Sequence, residues 1–318
     1  MRDLHRSAQT RLALAFGVGW DSTQEHAVSR MIYLQVLANG VVLGGLYAAI
    51  AVGFSLVWGV LNVINMLHGS FIVLGAYVAF FAYGLFGLHP FLAAPIAGAI
   101  LFAIGFSLQS TVINRVIRAP VLMTLTLTFG LDLLLNNAML QAFKADYRKV
   151  VLDPPLGSMF FGPIVLPLDR VAVMALALLL TYGLYRLLRD SKMGRAIISV
   201  RMDREAAALM GVDVMRMQAI TFGIGAFMAG AAGSLLSIIY PISPLNSITF
   251  LGKAFVVCVI GGLGSVGGAI VGGIALGLIE SFAALWFGPE YTVPLSFALL
   301  VAFLAVRPTG LLGRRGYE

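Results

Sequence analysis

The chain has 318 residues, of which 60% are hydrophobic and 11% charged, with a mean hydropathy of +0.95. Soluble domains carry about 25% charged residues, so this composition excludes a soluble globule and describes an all-α, polytopic integral membrane helical bundle. The net charge of +7 does not signal nucleic acid, because the basic residues sit between apolar runs, as the positive-inside rule requires.

Residues 1–30 do not resemble the rest. Arg2, Arg6 and Arg11 precede an apolar run at 12–20 that is too short to span a bilayer. Ala27-Val28-Ser29 has small residues at a cleavage-like spacing. The preferred reading is a dispensable tail, with the membrane domain at 31–313 starting at Met31. The first span covers 32–60, where Gly40 and Gly44 form a small-residue face for close helix packing. Asn65 and His68 follow, in a polar stretch at membrane depth. It reads as a short interfacial turn, a hydrogen-bonded break buried in the bundle, or a ligand site.

Spans follow at 69–88 and 91–114, the second stopped by Arg115, Arg118 and Pro120. The span at 121–142 is more polar. Its Asp132, Asn136 and Gln141 are placed about one face apart, so that face points inward, either lining a path or pairing with neighbouring helices. A mixed, proline-rich loop is expected at 144–166, then spans at 168–188 and 217–240. The part from 250 to 306 is glycine-rich, and Gly264, Gly268 and Gly272 recur every fourth residue, which suits a close helix crossing. The element before Gly264 is too short for a straight span and is expected to be tilted or broken. Glu280 is an intramembrane acid, and Lys253 lies near an end of the preceding element. The last span is at 291–306, and Arg314 and Arg315 in the tail 314–318 favour the cytoplasm. The total is eight or nine membrane elements, some broken or re-entrant.

The chain is organised around the basic stretch 186–216, which holds seven of its 21 Lys and Arg residues. Asp203 is placed to cap a short helix, Ala206, Ala207 and Met210 can form a small apolar face, and Gly211 lets the chain turn away. Such a loop is either a docking element or a solvated connector. Chemistry is not indicated. Gly262-Leu263-Gly264-Ser265-Val266-Gly267 matches a dinucleotide fingerprint without the βαβ context it needs. No P-loop, nucleophile elbow or metal-ligand spacing occurs, and the single cysteine, Cys258, excludes a disulfide within the chain. No catalytic residue, metal or cofactor is expected.

Several separated segments carry a family likeness: Asn39-Gly40 with Gly44-Gly45-Leu46-Tyr47-Ala48, Asn65-Met66-Leu67-His68-Gly69, Ser191-Lys192-Met193-Gly194-Arg195-Ala196, Ala206-Ala207 with Met210-Gly211, Gly261 to Ala269, and Pro308-Thr309-Gly310. In this order and spacing the chain resembles the LivH-like permease subunit of ATP-binding-cassette importers for branched-chain amino acids, from about 31 to 313. The resemblance implies a coupling loop at about 189–216 comprising Gly194, Arg195, Arg204, Glu205, Ala206, Ala207 and Gly211. The Ile-x-Leu-Pro that often follows the signature is absent, and Thr221-Phe222-Gly223 stands there. The resemblance also implies two cytoplasmic ABC ATPase subunits, a second related permease or a second copy, a periplasmic solute-binding protein, and a bacterial inner membrane with the loop and C-terminus cytoplasmic. Candidates for the translocation path are Asn65, His68, Asp132, Asn136 and Glu280. The competing readings are an importer of urea, short amides or other amino acids, an ion-coupled secondary transporter using Asp132 and Glu280, and an integral-membrane enzyme.

Overall fold

A computed structural model describes residues 22–117, 120–162, 164–306 and 310–312. Most of the N-terminal tail, Arg118, the Pro308-Thr309 pair and the tail 314–318 lie outside these residues. Within them, nine helices are long and apolar enough to cross a bilayer. They lie in α1 (Ser22–Leu61, spanning from Arg30), α2 (Leu67–Phe86), α3 (Pro90–Val116), α4 (Val121–Phe143), α5 (Leu168–Asp190), α8 (Val214–Ile239), α9 (Ser247–Gly261, spanning with its 3₁₀ turn from Pro244), α10 (Val266–Trp286) and α11 (Thr292–Val306, spanning with its 3₁₀ turn from Pro289). Two short helices, α6 (Lys192–Met202) and α7 (Arg204–Leu209), fill the basic stretch. Helices satisfy every backbone group internally, which is what an apolar chain in hydrocarbon requires. α1 runs unbroken across Met31.

The spans alternate in direction. The ends of α1, α3, α5, α9 and α11 fall on the side of the basic loop, and the hairpin connections at 87–89, 144–167 and 287–291 fall on the other. α1 and α8 are almost wholly buried and form the centre, with α2, α3, α9 and α10 around them, while α4 and α11 are mostly exposed.

Small residues set the spacing of this centre. Where α1 crosses α10, a Cβ on Gly44 would sit 2.5 Å from the Ile274 Cα, and one on Gly273 would sit 2.6 Å from the Ala48 nitrogen. One on Gly277 would strike the Gly40 carbonyl. The same holds between α8 and α2, where Gly233 faces the Ile72 carbonyl and Gly75 the Gly230 carbonyl. Gly268 and Gly272 pack α10 against α9 at Gly261 and Val257. Gly264 does not continue that stripe, although its spacing placed it there. It lies in the turn before α10 with φ +78°, a backbone conformation open to glycine, and meets Gly59 of α1.

The short element before Gly264 is a 3₁₀ turn (Pro244–Asn246) leading into α9. The fifteen residues of α9 cover about 22 Å, less than the roughly 30 Å hydrocarbon core. Residues 144–166, expected to be a mixed loop, contain an antiparallel hairpin, β1 (Ser158–Phe161) with β2 (Ile164–Pro167), paired Ser158↔Pro167 through Phe161↔Ile164. Its edge is fastened to α1 by Gln35, whose Nε2 donates to the Val165 carbonyl at 2.8 Å while its Oε1 accepts from Val165 N–H at 2.9 Å.

A Gly277→Leu substitution is expected to cost about 1–3 kcal/mol by overpacking the α1–α10 crossing. It should lower the thermal midpoint of detergent-purified protein, whereas Gly183→Ala, where a Cβ meets nothing within 4 Å, should not.

Candidate functional site

Two places concentrate the residues singled out from the sequence: the basic loop, and a polar layer inside the bundle. In the loop, Ser191 caps α6 by accepting from Gly194 N–H at 2.8 Å. Gly194 packs against the carbonyls of Leu187 and Leu188, so any side chain there would displace α5. Arg195 donates to the Asp190 carbonyl at 3.1 Å. Asp203 accepts from Glu205 N–H at 2.8 Å and Ala206 N–H at 3.0 Å, which starts α7 as the sequence led us to expect. At Gly211 the backbone takes φ +83° and turns toward α8, itself capped by Asp213.

This loop is bolted to the end of α1. Arg204 Nη2 donates to the Leu61 carbonyl at 2.7 Å, and Arg201 Nη1 donates to the Gly264 carbonyl at 2.8 Å. The Leu61 carbonyl stands at a helix C-terminus, where such groups lack intrahelical partners and carry partial negative charge, so a guanidinium suits it, while the Gly264 carbonyl lies in the turn before α10. The apolar face differs from the expected one. Ala207 turns inward and is buried, because its flank of α7 packs on the bundle. The outward residues are Ala206, Glu205, Met202, Leu209 (89% exposed) and Met210 (84% exposed). These two large apolar side chains are adjacent and exposed on a loop outside the spans.

The polar layer begins where α1 stops. Residues 62–66 are not helical, and Asn62 has φ +54°. His68, in the first turn of α2, reaches back to α1, its Nε2 lying 2.8 Å from the Ile50 carbonyl. Ile50 precedes the end of α1 by eleven residues, about 16 Å along its axis. The chain therefore climbs back beside α1, and α2 starts at roughly half depth. A carbonyl only accepts, so Nε2 carries the proton and Nδ1 of the neutral ring is an acceptor. Ser70 Oγ donates to Asp132 Oδ1 at 2.5 Å, and Thr128 Oγ1 to the Ile64 carbonyl at 2.9 Å. Asn136 Nδ2 donates to Ser247 Oγ at 2.7 Å, and Gly69 packs on the Ser247 carbonyl. Asn65 and His68 thus open α2, His68 facing α1, while Asp132 and Asn136 meet Ser70 and Ser247 from α4. Gln141, expected on the same face, is exposed nearer the end of α4.

Glu280 belongs to a different group. Lys253 Nζ lies 2.9 Å from its Oε2, and both residues are buried. The Tyr47 hydroxyl accepts from Lys253 at 2.9 Å and donates to Glu280 at 2.6 Å, while Ser296 donates to the other carboxylate oxygen at 3.2 Å. The Tyr240 hydroxyl is 3.1 Å from that of Tyr47, and the Lys253 ammonium stands 4.9 Å from the Tyr47 ring centroid. The group joins α1, α9, α10 and α11. In the sequence Lys253 stands near the end of its element with no partner marked. The available signal was that two intramembrane charges of opposite sign seldom stay unpaired.

The profile of the branched-chain amino acid transport system permease component matches residues 36–304. The chain belongs to this permease family. It is 34% identical over 302 residues to the high-affinity branched-chain amino acid transport system permease protein BraD of Pseudomonas aeruginosa, covering 90% of this chain and 97% of BraD. Against LivH of Escherichia coli K12, a permease protein of the same description, identity is 34% over 307 residues, covering 91% and 98%. LivM of Escherichia coli K12, another permease protein so described, is 30% identical over 292 residues, covering 84% of this chain and 68% of LivM. No solved structure matches. The family match spans both the loop and the polar layer of this permease.

Breaking the buried pair on one side should be costly. Lys253→Met or Glu280→Gln alone is expected to lose about 3–5 kcal/mol, because each strands a buried charge, whereas the double variant should regain most of it. Thermal melts of the three purified variants check this.

Proposed function

We propose that this chain is the membrane-spanning subunit of an ATP-driven importer, passing branched-chain amino acids handed over by a periplasmic binding protein. Two cytoplasmic ATPases supply the energy. A second permease of the same fold, related as LivM is to LivH or a second copy, completes the path. The basic loop and the last span end in the cytoplasm of a bacterial inner membrane, as positive-inside charge favours, and nine crossings then put the start of α1 on the outer side.

The observation that carries this reading is the family match over residues 36–304, and the shape of the loop agrees with it. α7 presents Leu209 and Met210 outward while Arg204 holds the end of α1. A surface that meets an ATPase on one side and grips a span on the other can transmit motion. The pairing of Glu280 with Lys253 favours this reading over an ion-coupled one, since it neutralises one of the two acids that such a mechanism needs. Apart from Asp132 and the Lys253–Glu280 pair, the buried polar side chains among the described residues carry no formal charge, which suits a zwitterionic cargo.

Purification from native membrane in mild detergent, followed by mass spectrometry, should recover two P-loop ATPases and a second apolar permease. Recovery of this chain alone, active in liposomes without ATP, would sink the proposal. Leu209→Glu with Met210→Glu should leave the fold intact, because neither side chain is buried. Loss of two anchors of about 2 kcal/mol each should strip the ATPases during purification and abolish ATP-dependent uptake.

A further inference from the structure

The end of α5 on the side of the basic loop carries a groove on the face turned away from the bundle. Thr181, Leu184 and Leu188 are buried on one side of the helix. On the other, Tyr182, Tyr185, Arg186, Arg189 and Asp190 stand exposed and line a groove of about 550 Å³. Side chains three and four residues apart on a helix are neighbours, and here they pair along the axis. Arg189 Nη1 donates to the Tyr185 hydroxyl at 2.9 Å, its guanidinium 5.9 Å from the centroid of that ring. Arg186 lies between the Tyr182 hydroxyl and the Asp190 carboxylate. Each phenol is one turn deeper in the span than the guanidinium it steadies. Deeper still, the same face is apolar, with Ala175 exposed and Leu179 62% exposed. Leu179 is ten residues from Arg189, about 15 Å along the axis, half of the roughly 30 Å hydrocarbon core. From mid-bilayer outward the face therefore reads aliphatic, phenol, guanidinium. That is the order of acyl chain, ester and phosphate in one leaflet.

Charge decides which lipid fits. Asp190 neutralises Arg186, but Arg189 and the exposed Lys192 and Arg195 of α6 have no carboxylate within ion-pair distance among the described residues. The carbonyls that end α5 do not oppose an anion, because donors cover them: Ser191 Oγ on the Leu187 carbonyl at 2.6 Å and Arg195 on the Asp190 carbonyl at 3.1 Å. Arg189 uses one of its five N–H donors on Tyr185, and a guanidinium fork matches two phosphate oxygens at once. We propose that this groove binds one anionic phospholipid from the leaflet on the side of the basic loop. Its phosphate is received by Arg186 and Arg189, its ester region by the Tyr182 and Tyr185 hydroxyls, and an acyl chain lies along Leu179 and Ala175. The bound lipid holds the end of α5 at head-group depth, directly before Ser191, where the basic loop leaves the membrane. The assignment does not depend on what the permease carries.

The full chain, purified in mild detergent with the subunits that accompany it, is stripped of lipid. It is then titrated in native mass spectrometry with phosphatidylglycerol, phosphatidylethanolamine or inorganic phosphate. One phosphatidylglycerol per copy is expected to stay bound at a collision energy that removes phosphatidylethanolamine, and excess phosphate should not displace it. Arg186→Gln with Arg189→Gln should weaken that binding about tenfold or more, the size of one lost hydrogen bond to a charged group. Tyr182→Phe with Tyr185→Phe keeps the rings and removes the hydroxyls, and should weaken it by a smaller factor. Arg115→Gln with Arg216→Gln removes two exposed charges on the same side but outside the groove, and should leave it unchanged. All four arginines are exposed, so these variants are expected to melt with the wild type. The comparison of the three ligands on wild-type protein stands without any variant. Equal retention of both lipids by the wild type, or full retention by the Arg186 and Arg189 variant, would overturn the site. An equal loss in the Arg115 and Arg216 variant would reduce it to diffuse surface charge. Displacement by phosphate would make it a site for a free anion, and loss of an accompanying subunit from the Arg186 and Arg189 variant would make the face a protein interface; either result removes the lipid.

Discussion

Close backbone contact is the constraint on which the rest of this structure depends. A helix leaving lipid for a protein interior exchanges one hydrocarbon for another, so apolar burial alone holds little together. What remains is dispersion at short range and polar bonds in a medium with no water to compete. The crossing of α1 and α10 uses both. Gly40 and Gly44 meet Gly273 and Gly277 with no space for a side chain. Tyr47 and Glu280 flank those glycines, each three residues past one on its own antiparallel helix, and their side chains meet at 2.6 Å. The hydroxyl and the carboxylate meet because the backbones beneath them touch. Lys253 then enters from α9, itself pressed on α10 through Gly268 and Gly272. The ion pair is a product of the packing as much as a contributor to it.

Features that depend on length and local pattern were readable from the residues alone. The spans follow from runs of apolar residues, and the Asp203 cap follows from an acceptor placed before a helix-forming run. Features that depend on a neighbour were not. Ala206 and Ala207 are adjacent and alike, and only the packing of α7 on the bundle decides that Ala207 is inside. Asp132 and Gln141 were grouped on one face, yet the nine residues between them make two and a half helical turns, so Gln141 lies on the opposite side of α4 and stays exposed. Gly264 has the spacing of a helical stripe but sits in a turn, because φ +78° interrupts the helix there. The hairpin at Ser158–Phe161 and Ile164–Pro167 is four residues a side, too short for any periodicity to mark.

The polar layer shows the same division. Asn65, His68, Asp132 and Asn136 stood out as polar groups in apolar sequence, and each is at an inner face. Their partners could not be read, since which helix each one meets results from where α2 starts beside α1, and no local pattern encodes that. Glu280 looked equivalent to Asp132 in the sequence. The structure separates them. Glu280 is matched by a lysine, a tyrosine and a serine, while Asp132 has one serine among atoms that lack partners. One acid is satisfied where it stands, and the other borders unsatisfied groups.

The manner in which Arg204 holds α1 has a mechanical consequence. Its guanidinium is on the Leu61 carbonyl, and only residues 62–66 separate that carbonyl from α2. Between that carbonyl and the buried Asn65 lie only residues 62–64, and the segment then tightens into a turn, with Met66 helical in φ and ψ and His68 N–H on the Asn65 carbonyl. A push on α7 has one short stretch of backbone to cross before it meets the first buried asparagine.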